Sequence, residues 1–415
     1  MLVRQQKSFS VVWFSAAIAS ILGCAITHQA LAQPTYSVDA QSSSVPGLND
    51  SAAILTPLGP GTFPPPAVVV PSSFLGITPV ATGVGELDAL SYGTEPQLSN
   101  APGVQHSWTL SVDEFAVGRP GVPGPSVRTE GAFGNQQAAG DIYLSTNAPG
   151  PFLPFPGFHT GLFDGDGGFT LPFPSQGLNL REPANPTPNQ IDAGDNLDAW
   201  DLDQPVPSPV FGTVFNTPIY FSLDSVYADP LEVPLPFNSG TAAANGFVGG
   251  DVLKSVFAGG APTLYASANQ LGLDQLGPDH DDLDALVLWE NGDGIYQPTS
   301  GPYSWAGGNT DMLLFSVRRG SAVIGQPDSL LGLPIEEGDI LVPMGNPGQL
   351  PGIFVPAEAL GLATVRTNST AGTFQGFGDD LDALDVQQVI PEPSAGLLAL
   401  ACLSGLAARR RFQCV

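Results

Sequence analysis

The chain has 415 residues, of which 50 are glycine and 42 are proline, and this composition disfavours long helices. Only 12% of the residues are charged, yet 39 acidic residues stand against 12 basic ones, so the formal net charge is −27. Nucleic acid is a poor candidate partner, because phosphate binding requires clustered lysine and arginine. Hydrophobic residues make up 42% of the chain, so we expect a folded protein rather than a disordered acidic one.

The first 32 residues have the layout of a secretory signal peptide. Arg4 and Lys7 precede an apolar run over residues 11–26, and the small-residue pattern Ala30-Leu31-Ala32 follows it. This order is typical of a cleaved export signal and predicts a mature chain that begins at Gln33. The body is then predicted to be an all-β repeat domain over residues 33–388.

All three cysteines, Cys24, Cys402 and Cys414, lie in the terminal segments. Disulfide bonds and thiolate zinc sites are therefore excluded from the body. The segment Ile21-Leu22-Gly23-Cys24 offers a competing lipoprotein interpretation, but Leu22 is bulky where such signals usually carry a small residue.

One acidic block occurs four times in the body. The copies are Glu86-Leu87-Asp88-Ala89-Leu90, Asn196-Leu197-Asp198-Ala199-Trp200, Asp282-Leu283-Asp284-Ala285-Leu286 and Asp380-Leu381-Asp382-Ala383-Leu384. Their unequal spacing indicates a common unit with variable loops.

Three further elements recur in the same order between the blocks. The first is a Ser-Val/Leu-Asp element at Ser37, Ser111 and Ser222, with a fourth copy, Phe315-Ser316-Val317, in which Arg318 replaces the aspartate. The second is a Gly-Asp-aliphatic turn at Asp141, Asp251 and Asp339, replaced by Ala52-Ala53-Ile54 in the first unit. The third is an apolar run ending in a glycine, at Leu75-Gly76-Ile77, Leu271-Gly272-Leu273 and Leu360-Gly361-Leu362, with Gln176-Gly177-Leu178 as a weaker copy.

The elements are short, rich in β-branched and aromatic residues and bounded by turn formers, which is the pattern of strands. Four units, over about residues 34–93, 106–203, 218–290 and 311–386, therefore predict a four-bladed β-propeller. Tandem β-sandwiches are the alternative, although the first unit is short for a free-standing sandwich.

The repeated Asp-Ala pair of the blocks is similar to the pair carried by the innermost strands of four-bladed propellers of the hemopexin type. The hemopexin pattern is short and has a smaller period. The resemblance therefore bears on architecture only.

The block carboxylates are candidate metal ligands. Residues two apart on a strand share a face, so Asp282 lies with Asp284 and Asp380 with Asp382, while Asp88 and Asp198 hold the equivalent places in the other blocks. Around a propeller axis these oxygens would suit a hard cation, with calcium as the candidate. The alternative is structural: aspartates at the rim of a strand accept backbone hydrogen bonds and fix the turn.

Two acidic turns and one acidic cluster are separate candidates for a cation site. Asp164-Gly165-Asp166-Gly167-Gly168 lacks the third ligand and the later glutamate of an EF-hand, and Asn291-Gly292-Asp293-Gly294 is more simply a turn between strands. The segment 279–284 is the densest acidic cluster. It is the first place where we would look for a bound cation, with a solvated acidic loop as the alternative.

Enzyme motifs are sparse. His106, His159 and His280 are far apart, and no nucleophile elbow or phosphate-binding loop is present. We therefore predict a protein that is not an enzyme, with an extracellular hydrolase holding an axial metal as one alternative. A carbohydrate-binding module is the other, for which exposed tryptophans would stack on sugar rings. Trp200 occupies a core position of a block, and the sequence does not assign Trp108, Trp289 or Trp305 to core or surface.

The C-terminal segment 389–415 begins with Pro391-Glu392-Pro393, continues with an apolar stretch over residues 395–408 and ends its hydrophobic part at Arg409-Arg410-Arg411. It resembles the PEP-CTERM sorting signal of exported bacterial proteins. The resemblance implies an exosortase-type processing enzyme as partner and delivery to the cell surface or the exopolysaccharide matrix. A permanent C-terminal anchor is the alternative, and the membrane is expected to meet only the terminal segments.

Overall fold

The structure is a computed structural model that describes most of residues 34–386. The segments left out of the description are 40–41, 43–49, 59–64, 78–85, 93–106, 114–115, 117, 133–136, 147–156, 168–175, 182–194, 203–217, 225–239, 256–260, 299–308, 347 and 368–376. The predicted signal peptide and sorting segment also lie outside the described residues. In the described part of the chain, no helix has the length and apolar character needed to cross a membrane.

The described strands form four sheets, numbered here in chain order. The first sheet contains β1 (Pro34–Ser37), β2 (Ile54–Thr56), β3 (Ala67–Val70) and β17 (Ala383–Val386), and the second contains β4 (Ala89–Ser91), β5 (Ser107–Ser111), β6 (Ile142–Thr146), β7 (His159–Asp164) and β8 (Gln176–Gly177). The third contains β9 (Trp200–Asp201), β10 (Ile219–Phe221), β11 (Val252–Ser255) and β12 (Thr263–Ala266), and the fourth contains β13 (Leu283–Trp289), β14 (Met312–Val317), β15 (Ile340–Val342) and β16 (Gly352–Val355). All pairs are antiparallel except β7 with β8.

The four sheets are arranged as the blades of a propeller. Strands β4, β9, β13 and β17 are the innermost, and they pack against one another. The first sheet is closed by the last strand, β17, which pairs with β1 and sets Tyr36 opposite Leu384. The predicted four-bladed propeller is confirmed, and the tandem-sandwich alternative is wrong, because one sheet joins strands from both ends of the repeat domain.

Each acidic block leads into an innermost strand. The other strands of that sheet follow it in the chain in the second, third and fourth sheets, whereas in the first sheet they precede it. The predicted Gly-Asp turns into strands are confirmed at β6, β11 and β15, which begin directly after Asp141, Asp251 and Asp339. The Asp251 carboxylate explains why the turn needs an acid: it accepts hydrogen bonds from the backbone nitrogens of Ala268 (2.8 Å) and Val248 (3.1 Å).

The sequence predicts strands at the glycine-ended apolar runs, and the structure differs at three of the four. Each of β3, β12 and β16 is followed by one helical turn, and further turns occur elsewhere. The helices are α1 (Ser72–Leu75), α2 (Val127–Glu130), α3 (Gly240–Asn245), α4 (Ala268–Leu271) and α5 (Ala357–Leu360), with a 3₁₀ turn at Ala138–Gly140. Gly272 ends α4 with a φ of 88°, a left-handed conformation that favours glycine. Only the weaker copy, Gln176-Gly177, is a strand, β8.

The core lies between neighbouring sheets. One cluster joins the second and third sheets and includes Leu144, Trp200 and Phe221. Similar clusters join the first sheet to the second and the third to the fourth. Trp200 is fully buried, which confirms its predicted core position, and burial of its large ring stabilises the contact between blades.

Candidate metal centre

The four acidic blocks meet at the beginning of the innermost strands. Asp382 directly precedes β17, Asp88 precedes β4, Asp198 lies just before β9, and Asp284 is the second residue of β13. Because these strands pack around one axis, their block carboxylates are brought to the same end of it.

A hydrogen bond that recurs in all four sheets fixes the blocks around the axis. The serine Oγ of each Ser-Val/Leu element donates to the carbonyl oxygen of the block leucine in the next sheet. The pairs are Ser37 to Leu87 (2.9 Å), Ser111 to Leu197 (3.2 Å), Ser222 to Leu283 (3.3 Å) and Ser316 to Leu381 (2.8 Å). The last pair returns to the first sheet, so the ring is closed.

The aspartate immediately before three of the blocks has a structural role. Asp195 accepts from the backbone nitrogens of Arg181 (2.7 Å) and Thr241 (2.8 Å), Asp281 from those of Asp274 (2.7 Å) and Val323 (2.9 Å), and Asp379 from that of Ala363 (2.7 Å). These bonds tie the loops to the start of the inner strands. The acidic residues of the segment 279–284 therefore have two different roles. Asp281 accepts backbone hydrogen bonds, whereas Asp282 and Asp284 lie in the axial carboxylate triads.

Three carboxylates form the first triad: Asp284 from the fourth sheet, with Asp380 and Asp382 from the first. One oxygen of each lies within 4.8 Å of the other two. The residues are 6%, 2% and 7% exposed, respectively. Within the described residues, Oδ2 of Asp284 and Oδ2 of Asp382 have no hydrogen-bond partner. The triad therefore presents buried oxygen atoms whose bonding capacity is not used by the protein.

Burial and neighbouring carboxylates disfavour the charged forms of Asp284 and Asp382. Burial raises the pKa of Asp284 well above its usual range, and the charges of Asp380 and Asp198 raise it further. Burial likewise raises the pKa of Asp382, followed by the charge of Asp284 and that of Asp39. Desolvation and like charge act in the same direction here, while the positive charge of Arg318 opposes them at Asp284. A bound cation would oppose both as well.

A second triad lies between the third and fourth sheets. It consists of Asp198, Asp224 and Asp282, whose oxygens also fall within 4.8 Å of one another. Arg318 Nη1 donates to Asp224 Oδ1 and lies 3.7 Å from Asp282 Oδ2. This triad thus already carries a positive group.

Arg319 occupies the other side of the ring and is almost completely buried, at 1% exposure. Its Nη1 donates to Asp39 Oδ2 (2.7 Å), and its Nη2 lies 3.7 Å from Asp380 Oδ2. Its backbone nitrogen donates to the same oxygen of Asp380 (2.9 Å). Arg319 therefore holds Asp380 in place beside the first triad.

The structure brings five of the six sequence-predicted ligands into the two triads: Asp198, Asp282, Asp284, Asp380 and Asp382. Asp88 is buried at 9% exposure but belongs to neither triad among the described residues. Asp224 was not predicted as a ligand. The signal that could have identified it is its place in the repeated Ser-Val/Leu-Asp element, which lies beside the block in every unit.

The oxygen spacing of both triads suits a hard divalent cation, although the second triad already holds the Arg318 guanidinium. Calcium binds oxygen at about 2.3–2.6 Å, so two oxygens on opposite sides of one ion are about 5 Å apart, and the triad spacing is compatible with that limit. Carboxylates at such a site would supply charge neutralisation as well as ligands. Calcium usually takes 6–8 oxygens, so water or backbone oxygens would complete the shell.

No family model, curated protein or solved structure matches this chain.

The two acidic turns are held together locally. Asp164 Oδ1 accepts from the backbone nitrogen of Gly167 (3.0 Å), and Asn291 Oδ1 accepts from that of Asp293 (3.1 Å). Both are short-range turn bonds of the kind expected from the sequence. Neither turn contributes to an acidic triad within the described part of the chain.

His159 is a structural residue. Its ring is 1% exposed, Nε2 accepts from the backbone nitrogen of Val127 (2.9 Å), and Nδ1 lies 2.8 Å from the carbonyl oxygen of Leu75, to which it donates. Burial lowers the pKa of His159 to about 4. The neutral ring therefore ties α1, which follows the first sheet, to β7 of the second sheet. His280 is exposed, and His106 lies outside the described residues.

Proposed function

We propose that this protein is an exported structural or binding component of the cell surface or extracellular matrix, stabilised by a divalent cation on the propeller axis. Calcium is the cation that the ligands suit best. The observation that carries the proposal is the buried first triad, in which Asp284 and Asp382 each leave one carboxylate oxygen without a hydrogen-bond partner among the described residues.

The charge balance of the body supports a cation. Between residues 33 and 390 there are 38 acidic and only seven basic residues. Two of those seven, Arg318 and Arg319, lie beside the axial carboxylates. Buried charges need partners, and the axial acids outnumber the two guanidinium groups, so a divalent ion would supply the missing positive charge.

The burial of the triad favours a structural role over a catalytic one. Asp380, at 2% exposure, and its two partners are enclosed by four blades, whereas a catalytic metal needs an open position for substrate. We therefore propose that the protein is not an enzyme. The ion would hold the fourth blade to the first, where the propeller closes.

The destination of the protein is proposed from its terminal segments. A signal peptide and a PEP-CTERM-like segment support export, processing by an exosortase-type enzyme and contact with an exopolysaccharide. Among the tryptophans of the described residues, Trp108 and Trp200 are buried and Trp289 is 37% exposed, so Trp289 would be the sugar-stacking candidate if the protein is a carbohydrate-binding module.

The test is direct calcium binding by the full chain, measured by isothermal titration calorimetry after treatment with chelator. We expect the wild type to bind calcium and the Asp382→Asn variant to lose most of that affinity, because the substitution removes one charged ligand. The matched control is Asp293→Asn, an exposed aspartate in a turn, which should bind as the wild type does. Absence of calcium and magnesium binding in the wild type would refute the cation proposal.

The same variant separates the proposal from the hydrolase alternative. If Asp382→Asn folds normally but loses turnover on a panel of ester and glycan substrates cleaved by the wild type, the axial metal is catalytic. If neither protein cleaves them and only stability changes, the structural role is supported.

A further inference from the structure

The fourth repeat departs from the others at one axial position. The Ser-Val/Leu element is followed by Asp39, Asp113 and Asp224 in the first three repeats and by Arg318 in the fourth. The backbone places these residues equivalently: Arg318 N donates to the carbonyl oxygen of Asp282 (3.1 Å), as Asp224 N donates to that of Asn196 (3.2 Å). A guanidinium therefore stands where the pseudo-symmetry of the propeller sets a carboxylate.

This guanidinium is directed at the second triad. Arg318 forms its ion pair with Asp224 and lies 3.7 Å from Asp282, which is fully buried. Asp198 completes the triad. A cation is thus already held by two of the three carboxylates, and it bridges the third and fourth blades in the way that a metal ion would.

The first triad differs in this respect. Its neighbouring guanidinium, Arg319, donates to Asp39, which is not a member of the triad, and lies 3.7 Å from Asp380. Arg318, in contrast, donates directly to Asp224, a member of the second triad. The two triads are therefore alike in ligand type and spacing and unlike in how their charge is met.

We propose that Arg318 is a built-in counterion that replaces a metal ion at the second triad, so that the axis binds one divalent cation, at the first triad. This inference rests on the proposed function. A second divalent ion at Asp224 and Asp282 would lie within a few ångströms of the guanidinium in a poorly solvated site, where repulsion between like charges is strong. Arg318 thereby sets both the stoichiometry and the position of cation binding.

The test is the calcium stoichiometry of the full chain, measured by equilibrium dialysis for the wild type and for Arg318→Gln. We expect one calcium per wild-type chain and two per variant chain, because the glutamine removes the positive charge and leaves the three carboxylates. Arg318→Lys keeps the charge and should remain at one. The matched control is Arg366→Gln, since Arg366 is also paired with carboxylates, Asp339 and Glu358, but lies outside both triads.

Each outcome decides between the proposals. One calcium in both the wild type and Arg318→Gln, or two in the wild type, would overturn the counterion role while leaving the first site intact. No calcium in either protein would refute the proposed function itself. If Arg318→Gln is unfolded in chelator, we expect millimolar calcium to refold it, and a failure to refold would show that the ion cannot replace the guanidinium.

Discussion

Acid should destabilise the propeller through His159, and the structure gives the size of the effect. The folded protein holds this imidazole neutral, with a pKa of about 4 against an ordinary value of 6.5. Between these two values the unfolded chain binds the proton more readily, so the stabilising contribution is complete above pH 6.5 and is lost as the pH falls through the pKa of the folded state. Over that window the loss amounts to about 3 kcal/mol.

The matched variant is His159→Gln. A glutamine side chain can donate to the Leu75 carbonyl and accept from Val127, as the neutral ring does, but it does not titrate. The assay is the free energy of unfolding in urea, measured for both proteins from neutral pH to about pH 4. The carboxylates contribute equally to the pH dependence of both proteins. The difference between the two unfolding free energies therefore reports the titration of His159 alone. A difference that stays constant across this range would refute the reasoning.

Two further predictions concern the propeller ring and the helical turns. Ser316→Ala removes the hydrogen bond to the Leu381 carbonyl (2.8 Å), and we expect a loss of about 1–2 kcal/mol in urea unfolding, because a buried carbonyl is left unpaired; an unchanged unfolding midpoint would contradict a role in blade closure. Gly272→Ala should lower the melting temperature clearly more than Gly246→Ala. Both glycines have positive φ, so the backbone cost of alanine is shared. The added Cβ at Gly272 would lie 2.3 Å from the Gln349 carbonyl oxygen, whereas nothing lies within 4 Å at Gly246. Equal losses in the two glycine variants would show that backbone conformation alone sets the cost.

The propeller could be predicted because each blade uses the same residue types for the same structural contacts, so these residues repeat in the sequence. The block leucine and the serine of the next element form the same inter-blade hydrogen bond four times, so both residues recur in the sequence. Asp251 and Asp339 each accept from the first amide of a helical turn, and this explains the repeated Gly-Asp pair.

The helical turns were missed because their residues are apolar and few. Ser267 and Gln270 form a capping box at α4, and that pair was the available signal. The first blade has no Gly-Asp pair, and Asp50 takes its role there: its carboxylate accepts from the backbone nitrogen of Ser72, the first residue of α1, at 3.3 Å. The extra residues between Asp50 and β2 hide this equivalence from a search by spacing.

The axial carboxylates were predictable as a set, but their grouping was not. The grouping depends on which carboxylates from neighbouring blades approach one another closely enough to share a cation. Sequence spacing and periodicity do not specify these distances between side chains of different blades. Asp224 joins Asp282 from another blade, and Arg318 and Arg319 turn toward different carboxylates although they are adjacent in the chain.

The most direct test of the cation site is the stability of Asp382→Asn measured with and without calcium. In chelator, we expect the variant to be at least as stable as the wild type, because the substitution removes a buried carboxylate that is repelled by Asp284 and Asp380. With calcium at about 100 times its dissociation constant, the wild type should gain about 2.7 kcal/mol and the variant far less, so the order of stability reverses. If calcium stabilises both proteins equally, or neither, the axial triad does not hold the ion.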